Sequence, residues 1–403
     1  MIKIIKISKK IIKHIIDLSG KNNKANKLRL DRYFCILNIN LDLTVNQRKA
    51  LLVYVPTIFH ATESANRIIH TNVLESAQIV KELIKRNFCI DVFDCNKSSK
   101  LLKEILNDRK YDLIIGLGEA FATACEMYPN AASIIYITEN NPAISSINER
   151  VRIDRYNKKN NKSAKLERTN IYFKSGTITR HNAAIVLGDL DSFCNEPIKK
   201  YSLCPTGFLN QEYPKLLNRL ERSNRSFIWM GTNAPIHKGL DVLIEAFSDM
   251  KEYDLHIIGM SSEQLKKYGI IASQNIKIHG FLNIASKEFA DLVKICSFII
   301  LPSCSEAMST SVLTGMRHGL IPMVLPDIGM NGIPYDLRIT LRGYMPNELK
   351  IDIKNASNIE TNILRELSRK VYNYANDVYT IERFAKDLSL IFDDIEYNKY
   401  FKN

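Results

Sequence analysis

The chain has eight cysteines but no C-x-x-C pair, and no histidine stands at ligand spacing from any of them, which argues against zinc. Cys89 lies in FCIDVF and Cys296 in KICSFII, apolar runs where a free thiol behaves as a small buried hydrophobe. The expected compartment is therefore reducing and cytosolic. No unbroken apolar run reaches the roughly 18 residues that suggest a membrane span. Residues 1–17, MIKIIKISKKIIKHIID, lack the continuous apolar stretch and small-residue cleavage site of a signal peptide. Acid is scarce at this end: residues 1–30 carry nine Lys and Arg against Asp17 alone, so they hold +8 of the net +13. The rest of the chain is close to balance. That distribution argues against a nucleic-acid binder with a basic surface throughout and for a local attachment device.

Wound as a helix at about 100° per residue, Ile2, Ile4, Ile5, Ile7, Ile11, Ile12, Ile15 and Ile16 share one arc, and the lysines with His14 share the other. Such a helix suits an anionic membrane surface, giving a cytoplasmic protein held peripherally on the inner face of the plasma membrane, or it docks on the protein's own body.

Beyond that segment, 403 residues with 45% apolar and 25% charged content describe a globular protein of two or three domains. Short continuous apolar runs alternate with helical patterns. Strands are expected at 50–55, 89–93, 112–116 and 133–137, with helices at 73–87, 97–107 and 119–127 between them. Residues 150–170 are polar and basic and are expected to form an exposed or mobile loop. Strands at 183–187 and 201–204 close the first half. The alternation restarts with strands at 226–231, 254–259, 276–280, 297–301 and 321–325 and helices at 239–250, 287–295 and 309–318. The expected fold class is α/β, two facing Rossmann-like domains with the ligand in the cleft between them, at the carboxyl ends of the strands.

Glu306 falls between the strand SFIILPSC and the next helix, and Ala307, Met308, Ser309, Thr310 and Ser311 bring N–H groups and hydroxyls to that helix N-terminus, a setting for phosphate or sugar oxygens. Gly231 ends the first strand of the second half, and Lys238 precedes the following helix, facing the cleft. Two further patterns are weak. The run Gly116 to Phe121 lacks the third glycine of a dinucleotide fingerprint and follows the third strand, and Asp189-Leu190-Asp191 is a lone polar triplet.

The stretches WMGTNAPIHKGLDVLIEAF, DLHIIG, IKIHGFL and LPSCSEAMSTSVLTGMRHGLIPMV, in that order and spacing, resemble the nucleotide-sugar half of the retaining glycosyltransferase family 4, which has the GT-B fold. The front half resembles the acceptor-side domain of a bacterial subgroup more loosely. The resemblance implies a basic extension over 1–47, an acceptor-side domain over 48–205 completed by a C-terminal helix from 379–403, a crossover at 206–225 and a nucleotide-sugar domain over 226–378. It implies transfer, with retention, of a sugar from a UDP- or GDP-linked donor to a glycan or lipid-linked acceptor hydroxyl in surface polysaccharide synthesis, with no resident cofactor or metal. Glu306 and Lys238 would be catalytic. Gly231, Thr232, Lys238, Gly259, Gly280, Ala307 to Ser311 and Thr314 would line the donor site, and His60, His70 and Glu139 the acceptor side. Thr314 stands where the family carries its second glutamate, and Thr232 where it carries a phosphate-binding arginine. Those departures motivate an alternative, a non-catalytic glycosyltransferase-like subunit or scaffold of a polysaccharide assembly complex; a sugar-nucleotide epimerase on the same fold is another.

Overall fold

The computed structural model describes residues 34–59, 71–168, 177–210, 213 and 222–398. The helix expected at 1–17, His60, His70 and part of the expected crossover lie outside the described residues.

In the first domain, β1 (Cys35–Ile39), β2 (Lys49–Tyr54), β3 (Cys89–Asp94), β4 (Leu113–Gly116), β5 (Ala132–Ile137), β6 (Ala183–Leu187) and β7 (Lys199–Leu203) form a sheet ordered β1-β3-β2-β4-β5-β6-β7. All neighbours are parallel except β1, which runs antiparallel to β3. Helices α1 (Thr71–Lys85), α2 (Ser99–Leu106), α3 (Gly118–Met127) and α4 (Pro142–Asn160) belong to the same half. Leu51, Leu52 and Val53 are all completely buried, which is why β2 reads as an unbroken apolar run: both faces of the sheet are covered.

The second domain holds β8 (Ser223–Met230), α5 (Leu240–Ser248), β9 (Asp254–Ile258), α6 (Ser262–Lys267), β10 (Ile276–Gly280), α7 (Lys287–Ile295), β11 (Cys296–Leu301), α8 (Thr310–Arg317), β12 (Ile321–Val324), β13 (Ile339–Thr340), α9 (Pro346–Ser357) and α10 (Thr361–Val378). Its sheet is parallel, in the order β10-β9-β8-β11-β12-β13. The chain then returns: α11 (Ile381–Tyr397) packs on α1 and β7, and buries Phe384, Leu388, Phe392 and Ile395 in the first-domain core. Each such side chain is worth about 1.5–3 kcal/mol of burial, enough to fasten the chain end to the front half.

Three expectations are corrected. Residues 150–160 are the second half of α4 rather than an exposed loop, with Arg152, Ile153 and Tyr156 buried. The helix is hard to read because much of what it buries is ionic. Within the segment assigned to the basic extension, Cys35–Ile39 is an edge strand of the first sheet, and β8 begins at Ser223, inside the expected crossover.

Candidate active site

Between the two sheets lies a cavity of about 300 Å³, bounded by the carboxyl ends of β2, β8 and β9 and the N-terminal turns of α1 and α8. At its second-domain wall Lys238 Nζ donates to Glu306 Oε1 at 2.9 Å, with each side chain about 10% exposed. Both groups are held by their backbones. The Trp229 indole N–H donates to the Lys238 carbonyl at 3.2 Å, and Glu306 N–H donates to the Ile328 carbonyl at 2.6 Å. Gly231 leaves room for the lysine stem: a Cβ there would stand 2.7 Å from the Trp229 ring and 3.0 Å from Lys238 Cδ.

Burial acts to raise the Glu306 pKa, but the charges of Lys238, Arg168 and His237 outweigh it and hold the group at about 2. Glu306 is therefore a carboxylate throughout the neutral range, able to accept hydrogen bonds and unable to donate a proton. His237 is the opposite case. Burial disfavours its cation, yet hydrogen bonds with Cys304 and Glu149 raise its pKa to about 10. As an imidazolium it donates from Nε2 to the Ser305 carbonyl at 2.8 Å and from Nδ1 to Glu149 Oε1 at 3.2 Å.

Glu149 comes from the first domain, on α4, and completely buried it also accepts from the N–H groups of Glu167 and Arg168 at 2.8 and 3.0 Å. That carboxylate fixes the segment after α4 and delivers Arg168 to the cavity, where its guanidinium pairs with Glu139. The rest of α4 is joined to the second domain along its length. Ser145 meets Ser305 at 2.7 Å, and Asn148 donates to the Cys304 carbonyl at 3.0 Å. Arg152 donates to the Pro302 carbonyl at 2.9 Å and lies 3.6 Å above the Tyr344 ring, and Arg155 pairs with Glu245 at 2.8 Å.

Of the residues named from sequence, Gly231, Thr232, Lys238, Gly259, Glu306, Met308, Ser309, Thr310, Ser311 and Thr314 line the cavity together. Gly280, Ala307 and Glu139 do not line it: Gly280 lends its carbonyl to Gly259 N–H, and Glu139 meets the site only through Arg168. Thr314 is buried with its hydroxyl accepting from Phe208 N–H at 3.0 Å, so the side chain secures the crossover. Ser309 precedes α8, and its hydroxyl meets that of Ser311 at 2.9 Å. Arg168, His237, Glu149, Asn72 and Glu75 went unnamed from sequence. Arg168 sits in a basic run that hides it, and the others have no spacing that would single them out. Among the described residues, no cluster of three His, Cys, Asp or Glu is placed to hold a metal, and no helix is long and apolar enough to cross a membrane.

Residues 224–347 match the family model of glycosyl transferases group 1. That span carries Lys238, Glu306 and the whole second-domain wall. No curated protein matches the chain in sequence. Among solved structures, sucrose-phosphate synthase from Thermosynechococcus elongatus superposes with a TM-score of 0.62 at 11% identity, covering 88% of this chain and all of that one. HepE from Anabaena, in complex with UDP-glucose, gives 0.56 at 12% identity over 87% of this chain and 100% of its own. A glycosyltransferase from Rickettsia africae gives 0.51 at 15% identity over 88% and 100%. At these identities the likeness is one of fold. The fold is GT-B, two Rossmann-like domains facing each other across a cleft.

Proposed function

We propose that the protein is a glycosyltransferase that moves a sugar from a nucleoside-diphosphate donor, UDP- or GDP-linked, to the hydroxyl of a glycan or lipid-linked acceptor in surface polysaccharide synthesis. The observation that carries the reading is the Lys238–Glu306 pair on the cleft wall beside the N-terminus of α8, within the segment matched by the group 1 family. A departing diphosphate needs positive potential that is already in place. Lys238, the N–H groups opening α8 and Arg168 supply it without a metal ion. In the transfer, the bond from the anomeric carbon to the diphosphate oxygen breaks while the bond to the acceptor oxygen forms on the same face. The acceptor proton passes to the leaving phosphate, and configuration is retained. Glu306, held ionised, keeps Lys238 aimed and accepts hydrogen bonds from sugar hydroxyls. Residues 1–17, read from sequence, would bring the protein to an anionic membrane surface where a lipid-linked acceptor is found.

The test is nucleoside diphosphate release from a panel of UDP- and GDP-sugars, together with thermal shift. A nucleotide that binds only the folded state at about 100 times its Kd adds roughly 2.7 kcal/mol of stability. Stabilisation by UDP or GDP with sugar-dependent release supports the enzyme. A folded protein that neither nucleotide stabilises and that turns over no donor refutes it in favour of a scaffold role.

A further inference from the structure

The transfer step leaves most of the basic run at the end of α4 without a task. From Arg155 to Lys174 the sequence carries seven Lys and Arg against Glu167 alone, a net charge of +6. Three of these cations are committed: Arg155 and Lys159 pair with Glu245, and Arg168 reaches the cavity. Lys158, Lys162 and Lys165 are exposed, with no ion-pair partner among the described residues.

The fold gathers them with cations of the second domain. Asn157 accepts from Ala164 N–H at 2.7 Å and donates to the Ala164 carbonyl at 3.0 Å, so residues 161–164 fold back on the end of α4. Tyr156 donates to the Tyr268 carbonyl, and Tyr156, Ala164, Leu166 and Tyr268 share one small apolar cluster with Ile236. That contact sets the turn beside the end of α6, where Lys266 and Lys267 are exposed and likewise unpaired among the described residues. The Lys162 stem crosses to this end, since a Cβ built on Gly269 would lie 3.8 Å from Lys162 Cε. Five lysines from two domains thus meet on one surface. The exposed acids on the same two helices are Asp154 and Glu263, and residues 169–176, outside the described residues, contain no Asp or Glu.

Apolar side chains protrude beside the lysines. Ile271, two residues beyond Gly269, is 84% exposed. Ile147 and Val151, 67% and 50% exposed, form a stripe on the outer face of α4 that reaches Lys158 at helical spacing. A soluble polyanion would engage the lysines but gives the isoleucines nothing to bury against. An anionic bilayer takes both, with the cations among the headgroups and Ile271 in the acyl boundary.

We propose that this surface, running from α4 across the turn at 161–165 to the end of α6, docks on an anionic lipid surface. It stands apart from the transferase reading, because it needs neither nucleotide nor acceptor, and from residues 1–17, because its cations belong to the folded body.

The test is sedimentation of the full chain with phosphatidylcholine vesicles, with and without phosphatidylglycerol, at low and high salt. The wild type is expected to bind the anionic vesicles and to be released by salt. Each lysine near such a surface changes the partition about fivefold, so Lys162→Gln, Lys266→Gln and Lys267→Gln together should weaken it by about 10²-fold. Ile271→Ser should weaken it by about tenfold with the salt dependence kept. All four positions are exposed, and an unchanged melting temperature shows that the fold is intact. Vesicle binding that both variants leave unchanged assigns the membrane to residues 1–17 alone and overturns the proposal, and so does a full chain that ignores anionic vesicles at low salt. Binding that falls with the lysines but not in Ile271→Ser, matched by equal binding of dextran sulfate, marks a soluble-polyanion site and overturns it too. Thermal shift with UDP and GDP on the same proteins reports on the donor reading separately: failure there with vesicle binding intact refutes that reading and leaves this surface standing.

Discussion

Replacing Glu75, which lines the cleft from α1, by glutamine tests the burial of this carboxyl directly. Burial raises the Glu75 pKa from 4.5 to about 7, against the hydrogen bonds of Tyr54 and Tyr136, which pull it down. A folded-state pKa above the unfolded one means that folding opposes ionisation. The contribution of Glu75 to stability is therefore complete below pH 4.5 and is lost as the pH rises through 7. At about 1.4 kcal/mol per unit, that shift corresponds to about 3 kcal/mol. Asp241, raised to about 6 by burial, and Glu167, raised by the same cause, bend the wild-type curve in the same sense, so the quantity to read is the difference between wild type and Glu75→Gln. Among the described residues, the ionisable groups bonded to Glu75 are Tyr54 and Tyr136, whose pKa values are pushed well upward, so neither titrates between pH 4 and 8. Urea unfolding of both proteins across that range, followed by a first-domain probe, should show the variant gaining about 3 kcal/mol on the wild type from the acid to the neutral end. A constant difference would show that the carboxyl titrates as it does in water and that the first-domain wall of the cleft is wet.

The remaining predictions concern the opposite wall and the inter-domain ion cluster. Lys238→Ala should lower turnover by about 10²-fold or more, the order found on removing one preorganised charge-stabilising group, in a chain that folds but melts earlier because Glu306 stays buried without its partner; unchanged turnover would clear Lys238 of the role. Gly231→Ala should weaken UDP binding, measured by calorimetry, because the new methyl meets the Trp229 ring and the Lys238 stem. Glu149→Ala leaves the His237 cation buried without its carboxylate and should cost about 3–5 kcal/mol in denaturant unfolding. His237, with its pKa raised to about 10, stabilises fully below pH 6.5 and loses that contribution as the pH rises through 10, so the wild type should lose melting temperature over that window more steeply than His237→Gln.

Most strands were legible because their burial is two-sided: LLVY in β2 and FIIL in β11 are unbroken apolar runs that a covered parallel sheet accommodates. The second-domain site was legible for a related reason, since Lys238 and Glu306 each follow such a strand and precede a helix, and the topology brings strand ends together. α4 was not. Its buried positions include Glu149 and Arg152, which pair with the His237 ring, with backbone N–H groups beyond the helix and with the Pro302 carbonyl, and periodicity records hydrophobicity rather than pairing. Arg168 was hidden the same way: one basic residue in a basic stretch, given its place by a carboxylate on the preceding helix. β1 escaped because an edge strand buried at its ends and half-exposed between them carries little apolar signal.

The ionic seam along α4 also sets how this molecule can be recombined. The crossover and the returning α11 suggest a modular chain in which one second domain could be exchanged for another. Yet Arg152 and Arg155 fit the Pro302 carbonyl, Tyr344, Asp241 and Glu245 of their own second domain, and Glu149 fits His237. A chimera cut at the crossover would bury arginines and a glutamate against a foreign surface. Domain-swapping designs therefore need a unit of inheritance larger than the domain, in which α4 and the loop ending at Arg168 travel with the half they face.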